Sequence, residues 1–171
     1  FFTKRNLDAK LPFEFGGQID LRRSYYGLGI QKDGRKKQWL WQYGAEAAAQ
    51  RDGRNRFKNI IGERGTATLD QSERFYTLGV YGIVELALSD WRFRASIRAD
   101  THYIRLVDFM GSNSDNKNLS AYSPHVAAFY SFSPTLSSYV RWGTGFETPS
   151  LNELSSNPTG ETGFNNILRP Q

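Results

Sequence analysis

Hydrophobic and polar residues alternate with a period of two along much of this chain, most clearly from Trp91 to Phe109. The odd positions of this segment are mostly apolar: Trp91, Phe93, Ala95, Ile97, Ala99, Thr101 and Tyr103. The even positions are polar and often charged: Arg92, Arg94, Ser96, Arg98, Asp100 and His102. Because successive side chains of a β-strand point to opposite faces, the pattern predicts a strand that separates two different media.

The same alternation predicts further strands, joined as antiparallel hairpins. Residues 73–88 precede the two-residue turn Ser89-Asp90, so they pair with the strand that begins at Trp91. A second hairpin is predicted from 122–132 and 136–144, and an earlier one from 13–31 and 39–51. The predicted fold class is therefore all-β, an antiparallel meander of about six long strands.

The predicted connections alternate in length. Those at 32–37, 89–90 and 133–135 are short, whereas those at 52–72, at 110–119 and after 145 are long and rich in Gly, Asn, Ser and charge. Bacterial outer-membrane barrels have this asymmetry, with short periplasmic turns and long extracellular loops. The pattern therefore indicates a segment of a transmembrane β-barrel, since six strands alone are too few to close one.

Aromatic residues mark both ends of the clearest predicted strand. Trp91 and Tyr103 share its apolar face, which places them about 30 Å apart along the membrane normal for a strand tilted by about 40°. This separation is close to the ~25 Å apolar band between the aromatic girdles of such barrels. A β-sandwich with one buried face is the alternative, but the predicted strands are longer than the usual ~5–6 residues.

Composition supports β structure and argues against several other classes. Aromatic residues make up 15% of the 171 residues, and they suit a pleated surface. The absence of cysteine excludes disulfides and thiol chemistry, and no apolar run reaches the roughly 20 residues of a membrane helix. The net charge is +5, but the basic residues are spread among 17 acidic ones, so no nucleic-acid partner is expected.

The chain carries little that resembles catalytic chemistry, so no enzyme activity and no cofactor are expected. Asp100 and His102 share a strand face, but a third metal ligand is not in view, and no metal site is predicted. Arginines that project into a water-filled lumen would favour anions. Four basic residues near the long connection could attract an anionic ligand or a lipopolysaccharide phosphate, although solvated loop charge is the simpler explanation: Arg51, Arg54, Arg56 and Lys58.

Four segments of the chain carry a family resemblance. Residues 139–154, YVRWGTGFETPSLNEL, resemble a stretch typical of TonB-dependent outer-membrane receptors, in which a Tyr-containing strand runs into Gly-Phe, Pro and Glu-Leu. Residues 165–171, NNILRPQ, are similar to the family's Asn-Pro-x-Leu-Lys-Pro-Glu element, with Asn166, Arg169 and Gln171 as departures. The strands around 42–46, QYGAE, and 96–100, SIRAD, also resemble family strands.

The resemblance implies that residues 1–171 are part of a TonB-dependent receptor β-barrel domain, with the plug domain and the barrel C-terminus absent from this chain. It implies a location in the bacterial outer membrane and energy delivered by TonB through the missing N-terminal region. The implied function is uptake of a scarce solute, most often a ferric siderophore, without covalent chemistry. The implied partners are outer-membrane lipid, the receptor's own plug domain, TonB, and the siderophore or other small solute.

Six residues on the predicted lumen face or in the adjoining loop are candidates for contact with the solute: Arg92, Arg94, Arg98, His102, Arg141 and Phe146. Docking of the plug could use the same arginines, and Phe146 with Pro149 could simply end the last strand. Two other functions stay open, a passive porin-like or structural outer-membrane barrel and a soluble β-rich carbohydrate-binding module. Energy dependence would exclude the first, and recovery in the outer-membrane fraction would exclude the second.

Overall fold

The computed structural model describes residues 1–111, 113–149, 154 and 168. It contains a sheet of seven antiparallel strands, each paired with the next one along the chain. The strands are β1 (Phe2–Lys10), β2 (Gln18–Lys36), β3 (Trp39–Ile60), β4 (Glu63–Leu88), β5 (Trp91–Asp108), β6 (Asn113–Ser133) and β7 (Leu136–Gly143). The all-β class and the antiparallel meander are confirmed, with seven strands where the alternation predicts about six.

The predicted long connections at 52–72 and 110–119 are wrong. β3 continues to Ile60 and β4 begins at Glu63, so Ile61 and Gly62 alone join them, with positive φ angles of 52° and 91°. β6 begins at Asn113, so most of the second predicted loop is also strand. A polar segment can form a strand because the hydrogen bonds between strands use backbone groups only, and its side chains can be solvated by water.

Other predicted boundaries shift for the same reason. β2 extends through most of the predicted connection 32–37, and the actual turn is Lys37 and Gln38. β1 was not predicted, because its sequence FTKRNLDAK has no clean alternation of apolar and polar residues. The turns at this edge of the sheet are all of two residues, the others being Ser89-Asp90 and Pro134-Thr135.

The outer face of the sheet carries a row of aromatic residues that divides it into two parts. Successive pairing partners in β1 to β5 form this row, which we call the aromatic row; it consists of Phe2, Tyr26, Tyr76 and Tyr103, with the small Ala49 of β3 between Tyr26 and Tyr76. The lower part of the sheet lies between the aromatic row and the turns Lys37-Gln38, Ser89-Asp90 and Pro134-Thr135. The upper part lies beyond the row, where β3 runs eleven residues past Ala49 to the Ile61-Gly62 turn.

The lower part has an apolar outer face that no second layer of the described residues covers. Phe93, Ile97 and Val80 remain 42%, 55% and 48% exposed. At the lower edge Trp91 packs against Tyr130, with ring centroids 4.7 Å apart, and Phe132 meets Tyr130 edge-on. Among the described residues, no helix has the length and apolar character to cross a membrane.

The inner face is polar in the lower part and apolar in one region of the upper part. There Ile104, Leu106, Leu119 and Leu154 form a buried group, the inner cluster, against which Phe75 and Leu168 are partly buried. Leu154 and Leu168 follow β7 in the chain, and both contact this inner-face group. Lys117 Nζ donates a hydrogen bond to the Leu168 carbonyl oxygen at 2.7 Å.

Candidate functional site

Two arginines of β5 share one carboxylate on the lower inner face. The Nε atoms of Arg92 and Arg94 lie 3.9 and 3.2 Å from the carboxylate oxygens of Glu85, which pairs with Arg94 across β4 and β5. Glu85 is buried, whereas both arginine side chains remain 55% exposed. Arg92 also lies over the ring of Phe129, 5.0 Å from its centroid. Alternate positions of one strand place the two guanidinium groups on the same side, and one carboxylate neutralises only one of their charges.

Arg98 lies at the centre of a tighter cluster. Its Nε donates to Asp100 at 2.8 Å, and its Nη2 lies 3.0 Å from a carboxylate oxygen of Glu46. Glu46 belongs to β3, so the Arg98 side chain has to cross β4 to reach it. It crosses at Gly79, the pairing partner of both Glu46 and Asp100, where an added Cβ would collide with the Arg98 guanidinium. Gly79 therefore leaves the space that the Arg98 side chain needs to reach Glu46.

His102 lies one step higher on the inner face, between two aromatic rings. Its ring centroid is 5.3 Å from that of Phe75 and 5.5 Å from that of Phe146, which stacks on it at an interplanar angle of 16°. Both ring nitrogens are buried without a hydrogen-bond partner in the part of the chain that the structure describes. Phe146 follows β7, so this stack fixes the start of the last segment against β5.

Arg141 approaches Arg94 from the other side of a cavity. This cavity, of about 640 Å³, lies between β5, β6 and β7, and its lining includes Arg94, His125, Phe129 and Arg141. Arg141 pairs with Ala127 and therefore projects from the same face as Arg94. No described carboxylate lies within ion-pair distance of Arg141. The cavity therefore carries positive charge that its own walls do not fully neutralise.

The six candidate residues fall into two groups. Arg92, Arg94 and Arg141 gather in the lower part, whereas His102 and Phe146 meet just below the inner cluster. Arg98 lies between the two groups. Glu85, Glu46 and Gly79 hold these arginines in place and are not predicted from the sequence, because their relation to β5 depends on the strand register. Asp100 accepts a hydrogen bond from Arg98. Among the described residues, no three potential metal-ligating side chains form a group.

A buried ion-pair network lies on the inner face of the upper part. Arg23 donates to Asp52 through Nε at 2.9 Å, and Arg54 donates to Glu73 at 2.7 Å, with both carboxylates almost completely buried. Burial raises the pKa of Glu73 above its ordinary value, and the positive charge and hydrogen bond of Arg54 oppose part of that rise. The network joins β2, β3 and β4 in a region for which the sequence predicts a loop.

An antiparallel meander with an exposed apolar band outside and charged residues inside defines the wall of a membrane β-barrel. The chain belongs to the family described as TonB dependent receptor-like, beta-barrel, whose model matches residues 2–171. The family comprises outer-membrane receptors that take part in TonB-dependent transport of small solutes, with a plug domain as partner, and its members generally act as transporters and receptors. Of the two C-terminal motifs that carry the resemblance, residues 139–149, Leu154 and Leu168 are described, whereas 150–153, 165–167 and 169–171 lie outside the described residues.

Proposed function

We propose that these strands form part of the barrel of a receptor that imports an anionic solute, a ferric siderophore, across the outer membrane. Residues 1–171 would belong to the barrel wall, and the plug domain and the closing strands would come from other parts of the same polypeptide. TonB would act through the plug, as the family implies. The barrel itself would perform no covalent chemistry.

The observation that carries this proposal is the surplus of positive charge at the cavity between β5, β6 and β7. Glu85 faces two arginines, and Arg141 lies opposite Arg94 without a carboxylate of its own among the described residues. Arginine binds carboxylates and other planar oxyanions with paired hydrogen bonds, and the side chains of Arg92 and Arg94 keep about half of their surface exposed. An anionic iron chelate has the charge and the oxygen atoms that such a surface binds.

Aromatic side chains extend the proposed route. Phe129 lies under Arg92, and the Phe146–His102 stack lies above the arginine row. We propose that the solute contacts these aromatic groups on its way past the arginines. The full set of proposed contact residues is Arg92, Arg94, Arg98, His102, Arg141 and Phe146.

The test compares binding and uptake of two iron complexes by the receptor produced from its complete gene. Ferric enterobactin is an anionic catecholate complex, and ferrichrome is an uncharged hydroxamate complex. In the double variant Arg94→Gln/Arg141→Gln we expect about a hundredfold weaker binding of the anionic complex, because each lost charged hydrogen bond weakens binding about tenfold. Binding of the uncharged complex should change much less.

The matched control removes two arginines from the outer face, in the variant Arg74→Gln/Arg105→Gln, and should bind the anionic complex like the wild type. Uptake should stop when the proton-motive force is collapsed. Passage that continues without it would support a passive porin, and recovery of the protein in a soluble fraction would support the carbohydrate-binding module. If the inner-face variant bound both complexes like the wild type, the proposed anion site would be wrong.

A further inference from the structure

One row of residues crosses the lower inner face of the sheet from β2 to β7. Direct pairing partners on successive strands form this row, which consists of Arg35, Leu40, Glu85, Arg94, Ala127 and Arg141. Three of its members carry a positive charge, and Glu85 alone carries a negative one. We call this set the charged row.

Arg94 stands between two cavities on this face. The first is the cavity between β5, β6 and β7, which Arg94 lines together with Arg141. The second, of about 560 Å³, lies across β2 to β5, and its lining includes Arg35, Glu85 and Arg92. Arg94 lines both cavities, whereas Glu85 lines only the second. The guanidinium group of Arg94 can therefore contact a solute in either cavity.

The two cavities differ in charge. Two arginines line the first cavity, and no described carboxylate does. Three arginines line the second cavity, but Asp33 and Glu85 oppose them. Glu85 has the larger part in this opposition, because it lies within ion-pair distance of two of the arginines, whereas Asp33 is exposed. An anion should therefore be held more weakly in the second cavity than in the first.

Glu85 contacts its arginines in a way that leaves them able to bind a solute. Its carboxylate oxygens lie 3.9 and 3.2 Å from the Nε atoms of Arg92 and Arg94, at the base of each guanidinium group. Glu85 is only 9% exposed, while both arginine side chains keep 55% of their surface exposed. An anion that binds to the outer ends of these arginines therefore remains close to the negative charge of Glu85.

The repulsion from Glu85 suits a site through which a solute has to pass. A carboxylate within about 7 Å of a bound anion repels it and shortens the time for which it stays bound. A site along a transport route has to bind its solute strongly enough to capture it and weakly enough to release it. The first cavity, with Arg141 and no described carboxylate, suits capture, and the second, with Glu85, suits release.

We propose that Glu85 is a release residue, which lowers the affinity of Arg92 and Arg94 for the anionic solute so that the solute leaves the first cavity through the second. This proposal rests on the anion site proposed above and adds the order in which the two cavities are used. Arg35, at the far end of the charged row, is then the last cation of the row that the solute contacts. A purely structural Glu85 would have the opposite effect on affinity, because the arginines would lose their orientation without it.

The experiment measures equilibrium binding, dissociation and uptake of ferric enterobactin by the receptor produced from its complete gene. In Glu85→Gln the amide oxygen can still accept a hydrogen bond from Arg94, but the negative charge is lost. We expect about tenfold tighter binding and about tenfold slower dissociation, because the repulsion between Glu85 and the bound anion disappears. Uptake at a saturating concentration should fall severalfold, since the solute leaves the arginines more slowly. Asp33→Asn, at an exposed side chain of the second cavity, should shift binding and dissociation in the same direction by a smaller factor.

Four controls separate this role from other effects of the substitution. Glu63→Gln removes the same charge at the opposite end of β4, where the side chain is exposed, and should behave like the wild type. Glu85→Asp keeps the charge and should restore fast dissociation. Ferrichrome, which is uncharged, should bind equally to the wild type and to Glu85→Gln. Added salt should narrow the difference between these two proteins in the binding of ferric enterobactin.

Weaker binding of ferric enterobactin by Glu85→Gln would overturn the proposal, because Glu85 would then only orient the arginines. Unchanged dissociation or uptake, or a gain in affinity of the same size in Glu63→Gln, would overturn it as well. A failure of the proposed anion site is a separate result, which would appear as unchanged binding in Arg94→Gln/Arg141→Gln. If that double variant binds weakly while Glu85→Gln binds like the wild type, the anion site stands and the release role is wrong.

Discussion

β5 passes through both parts of the sheet and reverses its polarity between them. In the lower part it places Phe93 and Ile97 on the outer face, and it places Arg94 and Arg98 on the inner face. In the upper part Arg105 is on the outer face, whereas Ile104 and Leu106 are on the inner face and buried in the inner cluster. The strand keeps one register with β4 throughout, so the reversal is not caused by a bulge or a slip.

The difference teaches that the surroundings of each face, rather than the strand itself, decide its composition. On the outside the medium changes from hydrocarbon to water at the aromatic row. On the inside it changes from a polar space to a packed surface, because Leu154 and Leu168 of the following segment cover Ile104 and Leu106. The same β-strand can therefore carry apolar outward side chains in the lower part and polar ones in the upper part, because the solvent at its outer face differs.

The largest expected effect comes from placing a charge on the outer face of the lower part. Ile97→Arg should lower the free energy of unfolding in lipid vesicles by about 3 kcal/mol, because an arginine near the bilayer midplane has to leave water. Val107 has the same outward direction in the upper part, and Val107→Arg should cost less than about 1 kcal/mol. Urea titration of the vesicle-inserted barrel measures both. Equal costs at the two sites would mean that the aromatic row is not a boundary between media.

The fold was largely predictable where one face of a strand contacts hydrocarbon and the other contacts water. The alternation from Trp91 to Tyr103 gave the strand, its faces and its hairpin with β4, since hydrocarbon and water demand different side chains at successive positions. It failed above the aromatic row, where residues 52–60 and 63–72 are strand with polar side chains on both faces. These segments are held as strands by backbone hydrogen bonds, which the pattern of hydrophobic residues does not reveal.

The sequence predicts the arginines of the candidate site but not the residues that contact them. Arg92, Arg94 and Arg98 follow from the alternation of β5 alone. Glu46 reaches Arg98 across β4 only because Gly79 is the residue between them, and that depends on the exact pairing of three strands. The contact of Phe146 with His102 depends on how the chain folds back after β7.

A second prediction concerns the packed interior of the upper part. Ile104→Ala should lower the free energy of unfolding by about 2 kcal/mol, because the fully buried side chain would leave a cavity that its neighbours cannot fill. Leu78→Ala on the lipid-facing side of β4 should cost less, since lipid chains can occupy the vacated space. Urea titration again provides the measurement. A larger loss for Leu78→Ala would show that the inner cluster contributes little to the stability of the barrel.

The smallest expected effect concerns the buried acid of the upper part and its dependence on pH. Because burial raises the pKa of Glu73, the folded barrel holds this proton more tightly than the unfolded chain does. The resulting stabilisation is fully present below the unfolded pKa of about 4.3 and is lost as the pH rises through the higher pKa of the folded state. Glu73→Gln cannot titrate, so the stability of the wild type relative to this variant should fall as the pH rises through the raised pKa of the folded state.

Arg54 affects the pH at which this stability is lost. Its charge opposes the effect of burial on Glu73, so Arg54→Gln should raise the pKa of Glu73 further and move the loss of stability to higher pH. Unfolding titrations at a series of pH values, on the wild type and both variants, test the two expectations together. A relative stability that instead rose with pH would mean that the ion pair with Arg54 outweighs burial. The interior of the upper part would then hold Glu73 as a stable carboxylate paired with Arg54.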